Sequence, residues 1–476
     1  MRAVIRHAAC ALCAAVLLFG CTACSSSNKT EPTYITIWNY YNGDQLESFN
    51  KLVSKFNRTV GKEQNIVVES LGQGGVEDLE TKVLNAAEGK VGAEEMPNIF
   101  SAYSNTAFDV DELGFVVDLA PYISDELREK YIDSYMTEGD FNGNGEIKIF
   151  PVAKSTELLF LNDTDWADFA AATGTSYDEL ATIEGVTAVA EKYYNWTDSL
   201  TAEPNDGKAF FGRDSMSNYM LVGAQQLGCT IFDVQNGKVT INFDKDVARK
   251  LWDNYYVPFV KGYFSAGGNF RNDGLRTGKL IAYVGSSSSG TYFPDIVTTG
   301  DTSSHSIELK VLQAPQFDGG EAVAVQQGAG MVVTKGTDEE IAACVTFLEW
   351  FTESENNIEF SACSGYLPVT KDANSITAIR SAGSELSESM DKILSTAVQT
   401  VKSNRLYTTR AFKNGRSARS VLEYAMSDRA GTDRAVVEQR IADGMSAKAA
   451  QAEFLTDAYF EKWYSETLAQ LKQYES

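Results

Sequence analysis

Short apolar strands alternate with helical segments near the start of the chain, and this alternation is the strongest constraint on the fold. Residues 34–38 have strand composition, and apolar residues from Leu46 to Phe56 follow them at helical spacing. Residues 66–68 and 76–88 repeat the pattern, and residues 98–100 begin a third strand. Strands that alternate with helices in this way predict an α/β fold with a largely parallel sheet.

The rest of the chain extends the same pattern and then becomes helical. Thr337 and Glu340 have the spacing of a capping box at the start of a helix. After Pro368 the pattern is almost entirely helical. Further strands are predicted at residues 147–152, 158–161, 238–243, 280–284, 308–312 and 331–334.

Residues 140–146 form a polar, glycine-rich segment with oxygen-bearing side chains at alternate positions. The pattern resembles a calcium-binding loop, but the twelfth position is Pro151 instead of the glutamate that closes such a loop around the ion. We therefore predict a hairpin turn here and no metal site.

The N-terminus has the features of an export signal. Arg2 and Arg6 precede an apolar run at residues 8–19, which is too short to span a bilayer. Leu18, Gly20 and Cys21 then resemble a bacterial lipoprotein signal, in which the cysteine is lipidated. We expect residues 1–20 to be a signal peptide, Cys21 to carry the lipid, and residues 21–33 to be a tether. Cys24 is the alternative lipidation site, and an ordinary secretory signal is the alternative to both. The expected location is extracytoplasmic, anchored by lipid to the bacterial cell membrane.

Charge and composition exclude several classes of protein. The net charge of −24 argues against nucleic acid as a partner. His305 is the one histidine beyond the predicted signal, which weighs against Ser–His or Cys–His catalysis. Cys229, Cys344 and Cys363 show no ligand-pair spacing, so we predict buried thiols, no metal and no cofactor. A disulfide between Cys344 and Cys363 is the less favoured alternative.

An ordered series of segments resembles the family 1 extracellular solute-binding proteins of ABC importers, the maltose and glycerol-phosphate binder group. The segments are ITIWNYYNGD, MPNIFSAYSN, IKIFPVAKSTELLFLN, GKLIAYVGSSSSG, QQGAGMVVTKGTDEEIAACVTFLEWF and SACSGYLPV. The resemblance implies a periplasmic-binding-protein type II-like fold, with two α/β lobes around a ligand cleft and a helical C-terminal region. It places lobe one at residues 34–152 plus 309–336 and lobe two at residues 153–308 plus 337–476.

Ligands of open α/β sheets lie beyond the carboxyl ends of the strands, so the loops after the predicted strands are the candidate site. Their side chains combine carboxylates, amides and hydroxyls, which pair with sugar hydroxyls, and aromatic rings, which cover the C–H faces of a sugar. The alternative for each aromatic residue is a place in the core. The candidates are Trp38, Tyr40, Tyr41, Asn42, Asp44, Gln73, Gly74, Tyr103, Ser104, Ser155, Thr156, Glu157, Phe211, Asp214, Ser286, Ser287, Ser288, Gln327 and Gly328.

The favoured function is capture of an extracellular sugar or oligosaccharide by lobe closure, without any reaction on it. The expected partners are a sugar or polyol ligand and the transmembrane subunits of an ABC permease, and the expected state is a monomer. Glycerol-phosphate-type binding is the first alternative, because that branch of the family uses an arginine from the C-terminal helical region and Arg410 lies near the matching place. A surface position is the alternative for Arg410. An extracellular glycosidase lipoprotein is the second alternative for the protein.

Overall fold

The computed structural model describes residues 31–235, 237–266, 271–300, 303–382 and 386–476. The predicted signal peptide, the lipidation site Cys21 and most of the predicted tether lie outside these residues. These described residues contain no helix with the length and hydropathy needed to cross a membrane.

The described chain contains fourteen strands. They are β1 (Thr33–Asn39), β2 (Ile66–Gly72), β3 (Ile99–Ala102), β4 (Glu157–Asn162), β5 (Phe211–Arg213), β6 (Phe232–Gln235), β7 (Lys238–Ile241), β8 (Ala282–Ser286), β9 (Ile296–Thr299), β10 (Ser303–Ser306), β11 (Leu309–Gln313), β12 (Val323–Val325), β13 (Gly330–Val333) and β14 (Arg405–Tyr407).

The α-helices cover both faces of the sheets and form most of the C-terminal region. They are α1 (Gly43–Arg58), α2 (Val60–Gln64), α3 (Val76–Ala87), α4 (Ser104–Glu112), α5 (Asp125–Lys130), α6 (Asp133–Met136), α7 (Asp163–Thr173), α8 (Ile183–Asp198), α9 (Met216–Gln226), α10 (Lys245–Asp253), α11 (Tyr256–Val260), α12 (Arg271–Arg276), α13 (Asp338–Thr352), α14 (Ser354–Ser364), α15 (Ile376–Ser381), α16 (Glu388–Ser403), α17 (Gly415–Ala442), α18 (Ala447–Gln451) and α19 (Asp457–Leu471).

The first four-stranded sheet has the order β13-β3-β1-β2. β1 pairs in parallel with both β2 and β3, whereas β13 pairs with β3 in the antiparallel direction. The predicted strands at residues 34–38, 66–68 and 98–100 are therefore confirmed. The alternation that predicted them reflects burial, since Ile35 and Ile37 are fully buried while the intervening Thr36 is not.

Helices α13 and α14 pack on the first sheet together with α1. The ring of Phe49 lies 5.4 Å from that of Phe351, and the ring of Phe56 lies 5.3 Å from that of Trp350. The capping box of Thr337 and Glu340 is present as predicted. These contacts differ from the expected division, which placed the whole of residues 337–476 in lobe two, because the apolar face of α13 completes the first core.

The second four-stranded sheet has the order β11-β4-β8-β5. β11 pairs with β4 in the antiparallel direction, and Val311 packs in the same apolar cluster as Leu158 and Phe160. The expected division placed residues 309–336 in lobe one, whereas this pairing joins residues 309–313 to the second sheet. The predicted strands at residues 158–161, 280–284, 308–312 and 331–334 are found, each shifted by up to about two residues, as is usual for strand ends.

Three segments cross between the two sheets at one place. Ser155 pairs with Gln327, and Lys154 pairs with Leu367, each as an isolated antiparallel bridge. The strand predicted at residues 147–152 is wrong, since Phe150 makes only a single bridge to Met331. Pro151 has no N–H to donate, which ends pairing at that point.

The C-terminal helices pack on the second core, and the prediction of a helical C-terminal region is confirmed. Leu422 and Met426 of α17 and Trp463 of α19 are buried in that core. β14 interrupts the helices and pairs with β12 in parallel.

The segment at residues 140–146 is a loop in which the side chain of its first residue bonds to the backbone further along the loop. Asp140 accepts hydrogen bonds from the backbone N–H groups of Asn144 and Gly145, each at 3.0 Å. The predicted turn is present, but the predicted hairpin is not, because no strand flanks it. No cluster of three or more potential metal-ligating side chains occurs within the described residues.

Candidate functional site

A cleft of about 510 Å³ lies between residues of the first sheet and residues of the second. Its first wall comes from the loops that follow β2 and β3, its second wall from the loop after β5 and the start of α9, and its end from β14 and α17. The lining residues are Val76, Glu77, Tyr103, Ser104, Asn105, Asp214, Ser215, Ser217, Asn218, Leu221, Val222, Val325, Gln326, Gln327, Tyr407, Thr408, Thr409, Arg419, Glu423 and Tyr424.

The location follows from the sheet geometry. β3 ends at Ala102 and α4 begins at Ser104, so the intervening Tyr103 stands at the carboxyl end of a strand. β5 ends at Arg213, and Asp214 follows it directly. The carboxyl ends of strands from both sheets therefore face the same space, as the rule for α/β sheets predicts.

Four of the predicted site residues line this cleft. They are Tyr103, Ser104, Asp214 and Gln327. Tyr103 is half-buried and presents the one aromatic side chain that the first wall contributes among the described residues. It stacks at 6.5 Å on the ring of Tyr40, which lies behind it.

The other predicted aromatic residues are placed in the core. Tyr41 packs against Phe49 and Phe360 with ring separations of 5.2 and 5.3 Å. Trp38 is buried in the same core. These two positions follow the alternative stated for aromatic residues, a place in the core.

Polar residues that follow β1 and β2 do not line this cleft, and two of them bond to neighbouring groups of the protein. Asn42 is exposed and donates hydrogen bonds to the carbonyls of Tyr40 and Gly74. Gln73 is buried and accepts a hydrogen bond from Lys82. Asp44 is exposed and lines a separate groove of about 500 Å³, whose other wall includes residues of α16.

The predicted serine run closes the space between the sheets beside the cleft. Ser287 donates a 2.8 Å hydrogen bond to the carbonyl of Gly365. Ser286 and Ser288 lie 2.9 Å apart through their hydroxyls. Gly365 has φ +69°, and a Cβ there would lie 2.8 Å from the Ser287 carbonyl oxygen, so the close approach requires glycine.

The remaining predicted residues from the crossing segments are structural neighbours of the cleft. The backbones of Ser155 and Gln327 exchange two hydrogen bonds of 2.9 Å each. Gly328 accepts a hydrogen bond from Lys154 through its carbonyl, and Phe211 is buried in the second core.

Below the cleft, a row of buried polar groups links four side chains. Glu157 accepts a 2.8 Å hydrogen bond from Asn218 and lies 3.5 Å from a guanidinium nitrogen of Arg213. The other amide atom of Asn218, its oxygen, accepts a hydrogen bond from Arg419. Burial raises the pKa of Glu157 above its ordinary value, although the charge of Arg213 opposes the shift. Burial likewise lowers the pKa of the Arg419 guanidinium, against the attraction of nearby acidic groups.

Glu423 is bonded to the N-terminus of α9. One carboxylate oxygen accepts a hydrogen bond from the backbone N–H of Met216 at 3.1 Å, and the other accepts from the N–H of Ser217 at 2.8 Å. The hydroxyl of Ser215 lies 3.3 Å from the second oxygen. The carboxylate thus holds the first turn of a helix that forms part of the cleft wall.

Asp214 stands at the edge of the cleft with a perturbed carboxyl group. Burial raises its pKa to about 6, and a 3.2 Å hydrogen bond from the backbone N–H of Arg271 limits the rise. The charged form of Asp214 is therefore disfavoured in this position, and the group titrates closer to neutral pH than an exposed aspartate does.

Three residues that line the cleft have a buried side-chain oxygen with no hydrogen-bond partner within the described residues. They are Asn105, Gln327 and Thr409. The oxygens of Asn105 and Gln327 are acceptors, and buried acceptors without a partner are costly. The oxygen of Asn105 is packed against Gly415 at the start of α17.

Arg410, the predicted phosphate-binding arginine, is exposed and lies beside Gly143 in the loop at residues 140–146. Arg419 lines the cleft instead. Sequence reasoning missed Arg419, Asn218 and Glu423 as site residues. The spacing of Arg419 and Glu423, one helical turn apart at the start of α17, is the signal that would have placed them on one face.

A contact also joins the two cores across the rim of the cleft. Arg416 at the start of α17 lies 2.9 Å from the carboxylate of Glu80 on α3. Glu80 accepts a further hydrogen bond of 2.7 Å from Thr106. Helix α3 packs with the first core and α17 with the second, so this ion pair spans both.

The model of the family described as bacterial extracellular solute-binding protein matches residues 51–383. A search among curated proteins finds no match.

Several solved structures share the fold at low sequence identity. The cyclic alpha-maltosyl-1,6-maltose binding protein from Arthrobacter globiformis is 17% identical, with a TM-score of 0.65, and the match covers 93% of this chain and 100% of that one. UgpB from Mycobacterium tuberculosis, in complex with glycerophosphocholine, is 17% identical, with a TM-score of 0.65 and coverage of 93% and 99%. The maltose/maltodextrin-binding domain MalE from Bdellovibrio bacteriovorus, bound to maltotriose, is 12% identical, with a TM-score of 0.63 and coverage of 92% and 100%. At these identities the likeness is one of fold.

Proposed function

Because the chain belongs to the family of bacterial extracellular solute-binding proteins, we propose that it captures a neutral sugar or oligosaccharide in the cleft described above. The fold is the two-lobe mixed α/β arrangement of that family. The observation that carries the proposal is the composition of the cleft wall. It combines the ring of Tyr103 with the polar side chains of Ser104, Asn105 and Gln327.

The lining matches the two kinds of surface that a sugar presents. An aromatic ring covers the C–H face of a sugar, and acceptor oxygens receive its hydroxyl protons. The structures of similar fold include proteins whose names specify maltose-type oligosaccharides, which supports this choice of ligand class.

The mechanism is closure of the two lobes over the solute. We propose that the lobes join through the three crossing segments near Ser155, Gln327 and Leu367, with residues 309–313 in lobe two and α13 and α14 in lobe one. A solute that contacts both walls binds the closed form more tightly than the open form, so it shifts the population toward closure. The Arg416–Glu80 ion pair adds to the stability of the closed form.

The closed, loaded form then delivers the solute to the transmembrane subunits of an ABC permease. In this proposal the protein acts as a monomer, is held at the outer face of the membrane by a lipid on Cys21, and performs no reaction on the solute. Two carboxylates near the cleft are already engaged within the protein, since Glu157 is bonded to Asn218 and Glu423 to the start of α9.

A ligand panel tests the proposed function. The chain from residue 25 onward is titrated by calorimetry and by thermal shift with neutral mono- and oligosaccharides, glycerol phosphates and glycerophosphocholine. A saturable rise in melting temperature with one class of neutral sugar supports the proposal, because a ligand that binds only the folded state stabilises it. Binding of glycerol phosphates or glycerophosphocholine alone would replace it with the phosphate alternative. Turnover of chromogenic glycosides would replace it with the glycosidase alternative.

A further inference from the structure

We propose that Glu423 is a specificity-determining residue, which fills the N-terminus of α9 with an internal carboxylate and so keeps anionic solutes out of the cleft. The inference deepens the proposed function and rests on it, since it concerns the solute that the same cleft receives. It assigns the discrimination between neutral and phosphorylated solutes to one side chain.

The backbone donors of the first turn of α9 all have partners inside the protein. Glu423 accepts from the N–H groups of Met216 and Ser217, at 3.1 and 2.8 Å. The hydroxyl of Ser215 accepts from the N–H of Asn218 at 3.2 Å. These are the groups that would bind a phosphate at a helix N-terminus, where the helix dipole also favours negative charge. The carboxylate therefore takes the place that an anionic ligand would need.

The carboxylate is held in place by a packed helix. Glu423 lies on α17 beside Leu422, which is buried in the second core. Arg419, one turn earlier on the same helix, is bonded to Asn218 of α9. Two side chains of α17 therefore bond to the first turn of α9. Displacing Glu423 would break a helix–helix contact and would leave its carboxylate without hydrogen-bond donors.

The remaining charges of the cleft act in the same direction. Among the described lining residues, the carboxylates are Glu77, Asp214 and Glu423, and the one cation is Arg419. Its bond to Asn218 and the attraction of Glu423 already engage that cation. An incoming phosphate would face an excess of negative charge at short range, which is repulsive even with the screening typical of a protein surface.

Inorganic phosphate is the probe for the test, and three variants are compared with the wild type by calorimetry. Glu423→Ala removes the carboxylate and vacates the helix N-terminus. Glu423→Gln removes the charge but keeps the space filled. Glu438→Ala removes one carboxylate from an exposed position on the same helix and serves as the control for net charge.

We expect Glu423→Ala to bind phosphate about tenfold more tightly than the wild type, the gain that a vacated helix N-terminus supplies. Glu423→Gln relieves the charge repulsion but keeps the space filled, so it should gain less than Glu423→Ala, and Glu438→Ala should bind phosphate no better than the wild type. An equal gain in Glu423→Gln, or no gain in Glu423→Ala, overturns the inference.

Hydrogen exchange of the wild type decides the question if Glu423→Ala does not fold. The backbone amides of Met216 and Ser217 should exchange at the same rate with and without phosphate, because Glu423 already protects them. Slower exchange at these two amides on adding phosphate would overturn the inference. The result is separable from the ligand panel: a wild type that binds no sugar would defeat the proposed function, while a phosphate gain confined to Glu423→Ala would still support the role of Glu423.

Discussion

The ammonium group of Lys154 is bonded to the carboxylate of Glu138 at the place where the three crossing segments meet, and neither side chain reaches solvent. Lys154 also donates a 2.7 Å hydrogen bond to the carbonyl of Gly328, and Glu138 accepts a 2.9 Å hydrogen bond from Gln326. Both members of the pair therefore bond to a neighbouring crossing segment. The pair thus links the crossing segments where they meet.

Replacing Lys154 with methionine should lower the free energy of unfolding by about 3–5 kcal/mol, because Glu138 would remain as a buried charge without its counter-ion. Urea unfolding measures the change. The matched control is Lys192→Met, which breaks the exposed ion pair with Glu179 and should cost less than about 1 kcal/mol. Similar losses in the two variants would mean that the buried pair has no special role.

Substitution of Tyr103 should weaken solute binding, whereas substitution of Tyr41 should lower the stability of the fold. Tyr103→Ala removes the ring that the first wall offers to a solute and should weaken sugar binding by about tenfold, the equivalent of one aromatic contact. Tyr41→Ala leaves the cleft lining intact but creates a cavity among Phe49, Phe360 and Tyr366, and should cost about 3–5 kcal/mol of stability. Calorimetry and urea unfolding on both variants give the comparison. The opposite assignment, with affinity lost in Tyr41→Ala alone, would move the sugar site away from Tyr103.

Asp214 should make the stability of the empty protein depend on pH. Its pKa rises from 3.8 to about 6 on folding, so the folded state binds the proton more tightly than the unfolded state does. The stabilisation is fully present below the unfolded pKa and is lost as the pH rises through about 6. Between pH 5 and pH 7 this group should remove about 1 kcal/mol of stability from the wild type and none from Asp214→Asn. Urea unfolding of both proteins at the two pH values tests the difference, and parallel changes would refute the assignment.

Arg416→Ala should weaken solute binding without altering the cleft lining. The ion pair with Glu80 joins the two cores, and its loss favours the open form. A partly exposed pair contributes up to about 1 kcal/mol, so the expected loss of affinity is about fivefold at most. Calorimetry with the sugar found in the ligand panel gives the value. Arg380→Ala, which breaks an exposed pair with Asp391 away from the cleft, is the control. An unchanged affinity in Arg416→Ala would show that this ion pair does not stabilise the closed form.

The three described cysteines should differ in their reaction with iodoacetamide. All three are free thiols, and the alternative of a Cys344–Cys363 disulfide is not found. Cys363 is exposed and should be alkylated in the native protein. Cys344 is buried, and burial raises the pKa of its thiol to about 12, so it should react only after unfolding. Mass spectrometry of the native and unfolded protein measures the difference, and native alkylation of Cys344 would contradict this packing.

Most of the predicted strands are found because the alternation of apolar residues is a local pattern. The alternation around Ile35 and Ile37 reports burial on a sheet, and the carboxyl end of β3 locates Tyr103. Which aromatic residue faces the cleft was not predictable, since Trp38, Tyr41 and Tyr103 are all of the kind that either packs or binds. Their roles depend on α1 and α14, whose contacts are made far along the chain.

Two residues of the cleft were missed in the sequence analysis for the same reason. Arg419 and Glu423 reach the site from a helix that packs on the second core. Their spacing places them on one face of that helix but does not show that the face meets the cleft. Arg410 was closer to the family pattern but lies on the other side of the turn that leads into α17. The pairing of β11 with β4 could not be predicted for a related reason, because it is a long-range contact that strand propensity does not encode.

The antiparallel pairing of β13 with β3 has a consequence for the order in which the protein is made. β13 follows the whole of the second sheet in the chain, yet it completes the edge of the first. During synthesis on a ribosome, the first three strands of that sheet would lack β13, α13 and α14 until most of the chain had emerged. Contacts so distant along the chain make folding slow. No N-terminal fragment that ends before β13 can assemble the cleft, so solute binding appears only once nearly the full chain exists.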